Sequence, residues 1–199
     1  MNVAQEIFCF VRMHWIHILI APVMALLVTV IHESAHSSAV IAQGGTVTMF
    51  SWLPAAGHWG FMNYEFPEGR DYSAFAISIA PYCVWLVVAA TTFCTGLACR
   101  KLPFWLASSL FVWGYVVPLG DIANTALPYL AGFENDFRHA FGRPNALMAG
   151  MISVLALVTC LAGYPLQRRL YGEQRLSLAS YMVLVGFCAA GIAGVAGVV

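Results

Sequence analysis

The chain has 199 residues, 61% of them hydrophobic and only 9% charged, with nine Lys and Arg balancing nine Asp and Glu. A soluble domain carries about a quarter charged residues, so this composition, with a mean hydropathy of +0.79, predicts a polytopic membrane protein. Zero net charge and the lack of any basic block leave no footprint for nucleic acid or for a polybasic lipid-binding tail.

The N-terminal MNVAQEIFCFVRMHW lacks the basic start and small-residue cleavage site of a signal peptide, so the first apolar segment is expected to be retained. That segment, from about His14 to Gln43, is long enough to cross a hydrocarbon core, which takes about 20 helical residues. His14 and His17, at its start, are assigned to the membrane interface. Further along stands His32-Glu33-Ser34-Ala35-His36, the pattern H-E-x-x-H. On a helix, two His four apart share one face and can bind one Zn²⁺, while the adjacent Glu can act as a base. Ionisable residues are costly inside a membrane span, and metal ligation is the simplest compensating role for three of them within five positions.

Gly44-Gly45 ends the span. The next interval, to Arg70, carries Thr46–Trp52 and Gly60–Tyr64, both rich in β-branched and aromatic residues, around a Pro- and Gly-containing turn. That pattern predicts a β-hairpin or re-entrant loop beside the metal. Its free edge could hold an unwound substrate segment by strand addition, with His58 and Gly60 as substrate contacts. The alternative reading is an interfacial aromatic loop.

A second span is expected over about Ser73–Cys99, a third from Pro103 to near Leu119, a fourth from Pro144 to about Leu166 and a fifth over Leu178–Val199. The small-residue run of the fifth, CAAGIAGVAG, suits close helix packing. The predicted fold is therefore all-α, with about five transmembrane helices and a short hairpin after the first, in one membrane-embedded domain over residues 1–199. The six Cys lie in or beside apolar segments without a CxxC pair and read as small packing residues.

The interval Val117–Arg143 holds two of the three Asp. A catalytic zinc site takes three protein ligands and one open position, so His32 and His36 need a partner. Candidates are Asp121, Glu134, Asp136, His139 and His58. Asp136 follows Asn124 and Pro128 through an expected turn before the fourth span, where a loop can return to the first helix; Asp121 closes an apolar helix. Ser34, Ser37, Ser38 and the region around Asn124 could line a path for water.

The H-E-x-x-H helix, the glycine-containing hairpin region, Ala80-Pro81 in the second span and an Asn-x-x-x-Pro segment followed by an Asp resemble the site-2 protease family of intramembrane zinc metalloproteases, over roughly residues 15 to 160. The resemblance implies zinc on His32, His36 and a downstream Asp, Glu33 as catalytic base, Asn124 as a substrate contact, and membrane-spanning protein segments as substrates. Asp136 lies eight residues after Pro128, with Phe137 where the family carries Gly, and Asp121, preceded by Pro118-Leu119-Gly120, matches in another frame. Carried over to this chain, the third ligand is expected to be Asp136, with Asp121 as the alternative. The competing class is a non-proteolytic membrane zinc protein, a carrier or scaffold; such a protein would close its metal site or carry ionisable residues on several spans. Arg12, Arg100, Lys101, Arg168, Arg169 and Arg175 fall on the N-terminal side of the five expected spans, against Arg70, Arg138 and Arg143 on the other, which predicts a cytoplasmic N-terminus.

Overall fold

The computed structural model describes residues 2–53, 60–99, 102–172 and 176–196. It opens with a short helix, α1 (Val3–Met13), started by a reciprocal cap in which the Asn2 side chain accepts from the Gln5 N–H and Gln5 returns the bond to the Asn2 N–H. The long helix α2 (Trp15–Ala42) follows, then strands β1 (Thr46–Ser51) and β2 (Phe61–Glu65). Helix α3 (Ala74–Ala98) starts at a Ser73 cap. A continuous rod, Phe104–Leu130, comprises α4 (Phe104–Phe111), a π-helical turn at Val112–Val116 and α5 (Val117–Leu130). The short α6 (Asp136–Phe141), α7 (Ala146–Tyr171) and α8 (Leu178–Ala196) complete the chain.

Among the described residues four helices are long and apolar enough to cross a membrane: α2, α3, the Phe104–Leu130 rod and α7. The expected fifth span is α8, whose apolar stretch among the described residues, Leu178–Cys188, is shorter than a crossing needs. Outward-facing Leu19, Val23, Val87, Leu147 and Phe187 are each at least 65% exposed. Such a belt is untenable in water and natural against lipid.

The third span departs from its expected end. Gly120-Asp121 reads as the close of an apolar helix, yet the helix runs on to Leu130 because its polar residues turn toward the protein rather than toward water. Pro118 lacks an N–H and would crowd a regular helix. The π turn before it widens the coil, with the Val117 N–H reaching back to the Val112 carbonyl. The expected Asn124–Pro128 turn is likewise helical; the reversal comes later, after Leu130, through Gly132 at φ +91°.

The predicted hairpin is present. β1 and β2 pair antiparallel, Thr46 opposite Glu65 and Ser51 opposite Phe61, with an irregularity between Val47 and Met49. Its base is stapled by Gln43 at the end of α2, whose side-chain oxygen accepts from the Ser73 N–H at 2.6 Å.

The core has two centres. One gathers Phe10, Phe111, Tyr115, Leu166, Tyr171 and Tyr181; here α7 carries Gly163, where a Cβ would run into the Tyr181 hydroxyl, so a small residue sets the helix approach. The other gathers Tyr82, Ala126, Tyr129 and Phe137. His14 and His17, expected at the interface, are buried in the bundle instead. His14 pairs with the Phe10 carbonyl at 2.7 Å and the Tyr171 hydroxyl at 2.8 Å, and His17 with the Ser108 hydroxyl at 2.6 Å. Both ring nitrogens of His14 are satisfied within the protein, whereas His17 bonds through Nε2 alone and its buried Nδ1 has no partner among the described residues.

Helix α1 is tied to the start of α8 through Glu6, whose carboxylate accepts from the Ser177 N–H at 3.0 Å and the Ser180 hydroxyl at 2.7 Å. Hydrogen bonding by Ser177, then Ser180, lowers the carboxyl from its ordinary 4.5 to about 2. A folded-state pKa below the unfolded value adds stability that is complete above pH 4.5 and is lost as pH falls through about 2. Glu6→Gln should therefore melt below wild type at pH 7 in detergent, and the gap should close between pH 4.5 and 2. Equal melting temperatures at pH 7 would rule out this tie.

Candidate metal centre

The helical period brings His32 and His36 to one face of α2, one turn apart, with ring centroids 4.9 Å apart. Each ring has one nitrogen committed. His36 Nδ1 lies 2.7 Å from the Ile77 carbonyl oxygen, which can only accept, so Nδ1 carries the proton. His32 Nδ1 lies 2.8 Å from Asp121 Oδ2 and donates to it. In their neutral form both imidazoles then present bare Nε2 lone pairs, and the two Nε2 atoms face each other at 3.2 Å. Asp136 Oδ2 completes the triangle at 3.3 Å from each.

Three acceptors converging on one point repel unless a cation lies between them. A tetrahedral zinc with bonds of about 2.0–2.1 Å holds its ligand atoms about 3.3–3.4 Å apart, and the observed spacings match that. His32, His36 and Asp136 are thus a group that could hold a metal ion. Asp136 Oδ2 also accepts from the Tyr82 hydroxyl at 2.6 Å.

The two candidate aspartates have different places. Asp121 does not reach the triangle; it sits behind His32, where its Oδ2 also accepts from Trp85 Nε1 at 2.7 Å. This is the carboxylate–histidine arrangement that fixes the tautomer of a metal-binding imidazole. Asp136 enters from outside the spans, at the first position of α6. Asn135 sets that entry: its side-chain oxygen caps α6 by accepting from the Arg138 N–H, and its amide donates to the Thr125 carbonyl at 2.8 Å.

Glu33 is 8% exposed, accepts no hydrogen bond among the described residues, and lines the cavity that holds the triangle. This cavity, of about 710 Å³, is bounded by α2, β2, the start of α3, α5 and α6. Gly60 brings β2 against α2: a Cβ there would collide with the Thr29 methyl and approach Glu33 Cγ at 3.1 Å. Asn124, Glu134 and His139 also line the cavity, so none of them is remote from the triangle. Glu134 is paired with Arg138 at 3.2 Å. His58 lies outside the described residues. Of the serines expected along a water path, Ser37 donates to the Met62 sulfur on β2 at 3.0 Å and Ser38 to the Ser34 carbonyl at 2.8 Å.

Sequence reasoning missed Tyr82, Trp85, Thr125 and Asn135. The available signal was the pair Tyr82 and Trp85, three apart on one face of an apolar span, whose polar tips require partners. No protein-family model, curated protein or solved structure matches the chain. Its chemistry is therefore read from its own geometry.

Ala substitution of His32 or His36 should abolish binding of one Zn²⁺ per chain, and Asp136→Asn should lower affinity far more than Asp121→Asn, which loses only the orienting contact, about 10–100-fold. Metal content after dialysis against a mild chelator checks the order. A reversed ranking of the two Asn variants would make Asp121 the ligand.

Proposed function

We propose that this chain is an intramembrane zinc metalloprotease of the site-2 type, cleaving peptide bonds in or near membrane-spanning segments of other proteins. The observation that carries this reading is the meeting of His32 Nε2, His36 Nε2 and Asp136 Oδ2 in a cavity that also holds the Glu33 carboxylate. Three ligand atoms with an open side suit a catalytic site, whereas a structural zinc site is closed by four. A carrier would need ionisable groups along its route, and from Ala146 to Gln167 the α7 span has no Asp, Glu, Lys, Arg or His.

His32, His36 and Asp136 would hold the zinc, which when bound would supply Lewis acidity toward the scissile carbonyl and lower the pKa of the attacking water. Glu33 takes the proton from that water as its oxygen bonds to the carbonyl carbon, and delivers a proton to the amine nitrogen as the C–N bond breaks. Its burial with no hydrogen-bonding partner among the described residues leaves the carboxylate available for this exchange. Asp121 and the Ile77 carbonyl hold the two imidazoles in the tautomer that leaves Nε2 available.

A helical substrate shields its peptide bonds and must be extended before attack. The β1–β2 pair supports this step, because β2 lines the cavity with Gly60, Phe61, Met62 and Tyr64 and each strand of a two-stranded sheet keeps an unpaired edge. Gly60 lets that strand lie close to Glu33, and Asn124 offers an amide to the substrate backbone from the facing wall. The asymmetry of Lys and Arg favours a cytoplasmic N-terminus.

Glu33→Gln separates chemistry from binding. The variant should keep its zinc and lose about 10²–10⁴-fold in turnover of membrane-anchored reporter peptides co-reconstituted in liposomes. Undiminished cleavage by this variant would reject the mechanism.

A further inference from the structure

We propose that Tyr82 is the positioning residue that selects Asp136 over Asp121 as the third metal ligand and fixes its reach. This inference rests on the metal-centre reading above. The need for such a residue follows from where Asp136 sits. His32 and His36 are fixed by the backbone of one long helix. Asp136 opens a six-residue helix outside the spans, behind a loop that turns at Gly132, and its side chain is 30% exposed. Backbone alone does not set its distance from α2.

Tyr82 supplies what the backbone lacks. Its ring is 4% exposed on α3, edge-on to His32 at 5.4 Å and to Phe137 at 4.7 Å, so packing fixes the hydroxyl. That hydroxyl lies 2.6 Å from Asp136 Oδ2, the same oxygen that faces both His Nε2 atoms. Thr125 Oγ1 lies 2.9 Å from it on the other side. A phenol has one proton. Given to Asp136, it obliges Thr125 to donate to the phenol oxygen, so the order Thr125→Tyr82→Asp136 runs from α5 through α3 to α6. A carboxylate oxygen has two lone pairs; Tyr82 occupies one and leaves the other for the metal, which favours a single-oxygen ligand.

The selection has a second half. One turn along the same face of α3, Trp85 donates to Asp121 Oδ2, which also takes the His32 Nδ1 proton. One face of α3 thus serves both aspartates, holding one behind an imidazole and one at the triangle. Tyr82 does not line the cavity, so it acts through Asp136 and not on substrate.

The experiment compares full-length wild type with Tyr82→Phe and Thr125→Val in detergent. It measures Zn²⁺ affinity by chelator competition, the visible absorption of bound Co²⁺, and the melting temperature without metal. Tyr82→Phe should bind Zn²⁺ about 10–100-fold more weakly and shift the Co²⁺ bands, since the oxygen ligand loses its hydrogen bond. Thr125→Val should move both in the same direction by less. In an Asp136→Asn background, Tyr82→Phe should add little, because paired groups are not additive. If Tyr82→Phe fails to fold, Thr125→Val carries the test with the phenol in place. Wild-type affinity and an unshifted Co²⁺ spectrum in both variants would overturn the positioning role while leaving the metal centre intact. Failure of wild type itself to bind Zn²⁺ would overturn the metal-centre reading and this inference with it.

Discussion

The constraint on which the site depends is that two imidazoles are each obliged to give away their Nδ1 proton. The Ile77 carbonyl and the Asp121 carboxylate offer only lone pairs, so in the neutral rings the lone pair falls on Nε2, and the two Nε2 atoms point at each other across 3.2 Å with a carboxylate oxygen at 3.3 Å from each. Glu33 adds a further buried carboxyl to the same cavity. Gathering this many lone pairs and carboxylates away from water is expensive unless positive charge compensates them. A divalent cation does so at one point, which is why the arrangement supports a metal centre better than a polar core. Protonating an imidazole would also relieve the repulsion, but only by filling the Nε2 position that ligation requires.

That constraint needs α2 to be held rigidly, and the helix is fastened at both ends. Near its start, His14 and His17 reach Tyr171 on α7 and Ser108 on α4. Near its finish, Gln43 staples Ser73 and His36 reaches the first turn of α3. Between these attachments the outer face shows Leu19, Val23 and Leu27 to lipid. Histidines with quite different duties therefore share one helix, two fixing it in the bundle and two facing the cavity.

What could be read from the sequence was what local periodicity encodes. The first, second and fourth apolar spans, the H-E-x-x-H face and the hairpin each follow from spacing within one segment, and the structure has these helices and strands where that spacing put them, while the third span runs on to Leu130 and the described apolar stretch of the fifth is too short to cross. What could not be read depends on distance between segments. Asp121 and Asp136 are the same chemical group in the same interval, and they differ in which imidazole nitrogen they meet, a fact set by α3 and α6 rather than by their neighbours in sequence. Helix α6 is too short for a periodic signal. His14 and His17 looked interfacial because histidine at the start of a span usually meets water, whereas here Tyr171 and Ser108 take its place.

The misjudged end of the third span shows how the missing information is stored. Polar residues near the end of an apolar run, here Gly120-Asp121 and Asn124-Thr125, signal departure from the membrane only if nothing inside the protein can satisfy them. In this chain Trp85 and His32 satisfy Asp121, and Tyr82 satisfies Thr125, so the helix loses nothing by continuing. Pro118 would ordinarily interrupt it, and the π turn at Val112–Val116 absorbs that proline with Gly114 packed close against Thr92. The rod can then extend to Leu130 and bring Asp121, Asn124 and Thr125 alongside α3 as one rigid surface. The irregular turn and the buried polar residues beyond it are two parts of one solution: the helix must pass the proline to reach its partners, and the partners make it worth ordering the helix beyond the proline.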